Sequence, residues 1–216
     1  MKPVEYYLNK LGGYGFEFPN LPEDVVGSME VKDSPRRKKL FVDGNQWMGL
    51  NLLDYREVFQ FLSHIENSRG KVITTGMGFL LRESWLVKNG FDVTVLEVNK
   101  DIIDYHLKHN PDICSKLTII NCNAEEYRGS CDTLLLDHYE LESNEYILDS
   151  VIKFKDRIDY KHIWFWPIER LVIRQTQIEG IEEMDSYLRI KDKVQGLPDL
   201  SPPSLDLYLS IWRAKM

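Results

Sequence analysis

Residues 71–97 read KVITTGMGFLLRESWLVKNGFDVTVLE, and the fold follows from this stretch. Lys71 to Thr75 is short, apolar and β-branched, as a strand buried on both faces of a parallel sheet should be. Gly76-Met77-Gly78 then allows a sharp main-chain turn and leaves room for a ligand to approach the backbone. Phe79 to Lys88 carries apolar residues at helical spacing with helix-favouring Arg82 and Glu83, and Asn89-Gly90 closes it. Phe91 to Leu96 is a second strand with Glu97 at its end. A carboxylate there can accept both hydroxyls of a ribose, so the stretch reads as a nucleoside site.

Downstream the same rhythm continues. A helix is expected from Lys100 to about His109, stopped by Asn110-Pro111. Leu117 to Asn121 is a third strand, followed by Asn123-Ala124. Thr133 to Leu136 is a fourth, purely apolar and ending at Asp137. Asn144 to Phe154 is helical, and His162 to Trp166 is a fifth strand ended by Pro167. Strands alternating with helices over 70–166 call for an α/β fold: three layers, doubly wound, with a mostly parallel sheet. Ligands of such sheets gather at the carboxyl ends of the strands, where Gly76, Gly78, Glu97, Asn123 and Asp137 all fall.

The flanks are less regular. Ile168 to about Met184 reads as a helix with Gly180 as a weak point. Gly196 to Pro203 is loop, and Leu205 to Arg213 reads as a last strand. At the other end, residues 1–28 show no sustained period. Met29–Asp33 and Lys39–Asp43 form a hairpin around SPRRK, with Asp43-Gly44 a second turn. Val58, Phe61, Leu62 and Ile65 give an amphipathic helix from Tyr55 to Ile65. The expected division is an N-terminal extension over 1–69, covering the pocket with its hairpin and helix, and a ligand-binding domain over 70–216.

With 216 residues, 43% hydrophobic and 28% charged, the chain can bury an ordinary core. A net charge of −7 argues against a nucleic-acid backbone as the main partner. Three cysteines without C-x-x-C spacing point away from disulfides and zinc and towards the cytoplasm. No apolar run approaches a membrane span of ~20 residues, and MKPVEYYLNK lacks the apolar centre of a secretory signal. A soluble protein, with a homodimer as one assembly, is the expectation.

A dinucleotide fingerprint needs a third glycine for close helix–strand packing, and here that position is Leu81. An NAD-dependent oxidoreductase is therefore the weaker reading.

The glycine turn, the acid after the second strand, the polar residue after the third and the acid after the fourth together resemble the class I S-adenosylmethionine-dependent transferases. The resemblance covers about residues 40–166 and implies the Rossmann-like methyltransferase fold. It implies that S-adenosylmethionine is held by Thr75, Gly76, Met77, Gly78, Glu97, Val98, Asn123, Ala124 and Asp137. Two branches are echoed more closely. FVDGNQW (41–47), DYREVF (54–59) and the segment ending in Leu80-Leu81-Arg82-Glu83 resemble spermidine synthase-like aminopropyltransferases. That likeness implies Gln46 near the donor's methionine part and Asp54 and Tyr55 near an amine acceptor. LLLDHYELESNE (134–145) resembles guanidinoacetate methyltransferase-like proteins, implying that Asp137 holds and deprotonates the acceptor beside Tyr139. This chain has Thr74 where many methyltransferases carry an acid, and Met77 where spermidine synthases carry an aspartate.

Methyl transfer from a sulfonium is an in-line displacement, helped mainly by positioning. An amine or guanidine acceptor must lose a proton before it attacks, which a carboxylate such as Asp137 can receive. The expected function is thus methyl transfer to a small amine- or guanidine-bearing acceptor, with Asp137 and Tyr139 catalytic. Aminopropyl transfer and a non-catalytic nucleoside-binding member are the alternatives. Asp137 could instead be a loop-closing carboxylate, and His138 a bystander. Tyr139 and Trp47 could box a cation. Trp85, Trp164 and Trp166 read as core. His106 and His109 share a helix face without a partner for a metal.

Overall fold

In the computed structural model, residues 18–34, 37–51, 62–137 and 144–213 are described. Five strands form a parallel sheet: β5 (Lys71–Thr75), β6 (Asp92–Glu97), β7 (Leu117–Asn121), β9 (Thr133–Leu136) and β11 (His162–Phe165). Their order is β11-β9-β5-β6-β7, with every neighbouring pair parallel. From β5 the chain steps outward through β6 to β7, then returns past β5 to β9 and β11. The order therefore reverses between β5 and β9, which is where sheets of this kind open a crevice at their carboxyl ends. Right-handed crossovers of such an order place helices on both faces.

The strand positions follow from apolar β-branched runs. Val72, Ile73, Thr74 and Thr75 in β5, and all of β9, are buried, as strands covered on both faces must be. Between the strands lie α2 (Leu81–Lys88), α3 (Lys100–His109), the short α4 (Pro111–Cys114) and α5 (Asn144–Lys153). The N-terminus of α3 is capped by Asn99, whose side chain accepts the amide of Asp101 at 2.8 Å. Gly129–Ser130 (β8) and Ile158–Asp159 (β10) form a small separate parallel pair.

The expected hairpin is part of a four-stranded antiparallel sheet, β1 (Asp24–Val26), β2 (Met29–Ser34), β3 (Arg37–Val42) and β4 (Asn45–Asn51). Its inner face contributes Met29, Val31, Leu40 and Leu50 to the same core as Val72 and Leu134. Polar contacts tie its surroundings to α3. Asp101 accepts the amide and hydroxyl of Ser28 at 2.8 and 2.9 Å, and Tyr105 donates to Pro22 O at 2.7 Å. Of the helix expected over 55–65, only Leu62–Glu66 (α1) lies among the described residues.

Two expectations at the carboxyl end are corrected. Gly180, with φ 65, divides the expected long helix into α6 (Ile168–Glu179) and α7 (Glu183–Lys193). Leu205 to Arg213 is not a strand but part of helix α8 (Pro202–Arg213). Its apolar residues alternate in sequence, yet Leu205, Tyr208, Leu209 and Trp212, at i, i+3, i+4 and i+7, are buried together. Ser201 caps the start through the amide of Ser204 at 3.3 Å, and Pro202-Pro203 occupy the first turn, where missing N–H groups cost nothing.

Candidate functional site at the strand tips

The carboxyl ends of β5, β6 and β9 meet where the strand order reverses. Gly76 and Gly78 have φ values of 76° and 46°, left-handed conformations that a side chain would strain. The amide of Gly76 donates to Leu96 O at 2.9 Å. The amide of Met77 donates to Oε2 of Glu97 at 2.6 Å, while Oε1 accepts the amide of Asn99 at 2.8 Å. Glu97 thus braces the turn after β5 against the turn after β6. Burial pushes its carboxyl above the usual range; the amides of Asn99, Met77 and Val98 oppose this and nearby Glu83 adds to it. Each oxygen has accepted one hydrogen bond and retains a second lone pair for a hydroxyl.

One strand over, the amide of Asp137 donates to Oγ1 of Thr75 at 2.9 Å, fixing the exit of β9 against that of β5. The Asp137 side chain keeps 27% exposure. Burial pushes its carboxyl up to about 7, against the lowering effect of Arg82 and with the repulsion of Glu83. Glu97, from the β6 side, and Asp137, from the β9 side, therefore both bond the exit of β5.

The sequence reading treated Arg82 and Glu83 as helix formers; the structure buries both, with 2% of each side chain exposed. Nε and Nη2 of Arg82 donate to Oε1 of Glu83 at 2.9 and 2.7 Å. Nη2 also reaches the carbonyls of Thr75 and Gly76 at 3.2 and 3.3 Å, and Nη1 reaches Oδ2 of Asp137 at 3.3 Å. The signal was present in the sequence: a lone Arg-Glu pair inside LLRESWLV, a helix buried from Leu81 to Leu86, requires partners within the fold.

His106 was likewise missed as a support. Its ring is fully buried, with Nε2 donating to Gly78 O at 2.7 Å and Nδ1 accepting from Asn110 at 3.2 Å. Burial holds its pKa down at about 4, so the ring is neutral. The ring thereby anchors the glycine turn to α3.

The remaining expected residues are placed unevenly. Val98, 70% exposed, follows Glu97 directly, and its carbonyl accepts from Asn121 at 2.9 Å. Asn123 is exposed beyond β7 and caps its own turn through the amide of Glu125 at 3.0 Å, while Ala124 is buried. Gln46 is exposed on β4 opposite Phe41. A register shift between Leu40 and Phe41 puts Met48, paired with Leu40, on the inner face instead. Met48 is the residue that meets the turn: a Cβ on Gly78 would lie 2.8 Å from its Sδ. Asp54, Tyr55, His138 and Tyr139 lie outside the described residues. Trp85 and Trp164 are core, as expected, and Trp166 packs at 6.1 Å from Trp212.

No protein-family model matches the chain, and no curated protein does. Among solved structures, it is similar to a glycopeptide N-methyltransferase complexed with S-adenosyl-L-homocysteine, at 14% identity and TM-score 0.38, covering 48% of this chain and 47% of that one. A putative RNA methyltransferase from Pyrococcus horikoshii matches at 16% identity and TM-score 0.36, over 57% and 63% of the two chains. The Pyrococcus abyssi tRNA (uracil-54, C5)-methyltransferase matches at 15% and 0.40, over 62% and 34%. The chain thus spans less than two thirds of the length of each. None of these three is a spermidine synthase or a guanidinoacetate methyltransferase, so the two narrower resemblances gain no support from them. The fold assignment rests on strand order and register, not on these matches. Among the described residues, no helix is long and apolar enough to cross a membrane, and no cluster of metal-ligating side chains occurs.

The residues fit S-adenosylmethionine at its nucleoside end, where Glu97 retains acceptor capacity for ribose hydroxyls and Val98 offers an exposed apolar surface. Beside the glycine turn, the carbonyls of Thr75 and Gly76 and the carboxylate of Asp137 converge on the guanidinium of Arg82.

Proposed function

We propose that the chain is an S-adenosylmethionine-dependent methyltransferase acting on a small amine- or guanidine-bearing acceptor. The observation that carries this reading is the pairing of Glu97 and Asp137 on either side of one glycine turn, at the point of strand reversal. Glu97 would hold the ribose, the 76–78 turn would carry the amino-acid side, and Val98, Asn123 and Ala124 would line the base. S-adenosylmethionine, when bound, supplies an electrophilic methyl group on a sulfonium. Asp137 aligns the acceptor nitrogen and receives its proton. A carboxyl pushed up to about 7 is divided between its two forms at neutral pH, which suits a general base. The negative site also favours a cationic acceptor. The three cysteines are free thiols, which supports a place in the cytoplasm.

A second reading is favoured by one observation: Arg82 already engages Asp137. In a non-catalytic nucleoside-binding member that contact would be permanent. Calorimetry with S-adenosylmethionine and S-adenosylhomocysteine, followed by mass spectrometry after incubation with an amine pool, separates the two. Heat with a methylated product supports the enzyme; heat without product supports the binding module. No heat with either ligand, in a protein that is folded, rejects both.

A further inference from the structure

The guanidinium of Arg82 fills a ring of three acceptors at the tips of β5 and β9. The carbonyls of Thr75 and Gly76 are acceptors only and the ionised form of Asp137 is a third, and acceptors converging at the tip of two strands select a positively charged donor. S-adenosylmethionine carries such a group, the α-ammonium of its amino-acid tail, on the 5′ side of a ribose that Glu97 would hold. The chain supplies its own cation from the first turn of α2, anchored through Glu83. On the reading of the site proposed above, we infer that Arg82 is a specificity-determining residue. It occupies the place of the tail's ammonium, so the tail adds little to affinity and the site ranks adenosine ligands by their nucleoside half.

The chemistry is one of competition. Nη2 of Arg82 bonds two carbonyls and Nη1 one carboxylate oxygen, at 3.2–3.3 Å, longer than the bonds to Glu83. The Glu83 pair is the fixed half of the arrangement and the cradle contacts are the exchangeable half. A tail ammonium entering the cradle must displace those three contacts and leave an arginine beside it, a like-charge neighbour. 5′-Methylthioadenosine has the same nucleoside, a neutral thioether in place of the sulfonium, and neither ammonium nor carboxylate, so it meets no such competition.

The test is a calorimetric comparison of S-adenosylmethionine with 5′-methylthioadenosine on the wild-type chain, on Arg82→Gln and on Arg82→Gln combined with Glu83→Gln. The double variant replaces the buried pair by neutral groups of similar size, because losing one partner alone leaves a buried charge and can unfold the protein. For the wild type, the two ligands should bind within about threefold of each other. In the variants S-adenosylmethionine should gain about tenfold or more relative to 5′-methylthioadenosine, whose own affinity stays within about threefold. Wild-type preference for S-adenosylmethionine by about tenfold or more, or an unchanged ratio in a folded variant, overturns the inference while leaving the nucleoside site intact. Failure of both ligands to bind the wild type overturns the inference together with the site.

Discussion

The amide of Met77 and the carboxylate of Glu97 are joined across 2.6 Å, which locks the tip of β5 to that of β6. The same carboxylate takes the amide of Asn99 on its other oxygen. Both bonds are charge-assisted, the one from Met77 buried and the one from Asn99 part-buried. In Glu97→Gln one oxygen becomes an NH2 group facing an N–H, so one buried amide loses its acceptor. We expect a loss of about 1–3 kcal/mol, read from urea unfolding. A loss below about 0.5 kcal/mol would mean that the brace is dispensable.

The parallel sheet was legible because strands covered on both faces, such as β5 and β9, are short runs of apolar and β-branched residues. Leu117–Asn121 and Thr133–Leu136 have the expected bounds, and β6 is shifted by one residue, to Asp92–Glu97. Glu97 and Asp137 could be assigned to strand tips for the same reason. What was not legible is tertiary. Arg82 and Glu83 look like ordinary helix surface until the helix is known to be buried on that side. β4 hides in NQWMGLN because a bulge breaks its alternation, and the bulge is also why Gln46 and Met48, two residues apart, lie on opposite faces. LDLYLSIWR satisfies two periods at once, and only the neighbouring α6 and β11, against which it packs, select the helix.

That choice of period can be tested by a truncation. Leu209 is fully buried in α8, beside Tyr208, whose ring meets that of Trp164 at 5.6 Å. Leu209→Ala should cost about 2–5 kcal/mol in chemical denaturation, as cavity-forming substitutions do. Asp206→Pro, at an exposed position inside the helix, should cost about 3 kcal/mol by removing a main-chain bond. Tolerance of the proline would contradict the helix.

His106 gives the fold a measurable pH response. Its pKa is held at about 4 against an ordinary 6.5. Between those values the unfolded chain binds a proton that the folded chain does not, so stability falls as pH drops from 6.5 towards 4. The whole effect is about 3 kcal/mol. Asp137, with its raised pKa, contributes the opposite slope over part of the same range. His106→Gln removes only the first effect and retains a donor for Gly78 O. The stability advantage of the wild type over this variant should therefore shrink by about 3 kcal/mol between pH 7 and pH 4, and a constant difference would refute the assignment.

The last expectation concerns catalysis and depends on which protonation state of Asp137 works. Deprotonation of the acceptor needs the carboxylate, and burial has pushed its pKa up to about 7. The proton-accepting fraction therefore rises as pH increases through 7, unlike an ordinary aspartate, which would be fully ionised well below it. If the chain transfers methyl groups to an amine, kcat/KM should climb about tenfold per pH unit below 7 and flatten above it. Asp137→Asn should lower kcat by about 100- to 10,000-fold and abolish that inflection while leaving ribose binding at Glu97 in place. Arg82→Gln, by withdrawing a nearby positive charge, should move the inflection to higher pH. A pH profile that is flat from 5 to 9 in the wild type would mean that Asp137 is not the base, and the role would pass to a residue of the acceptor side.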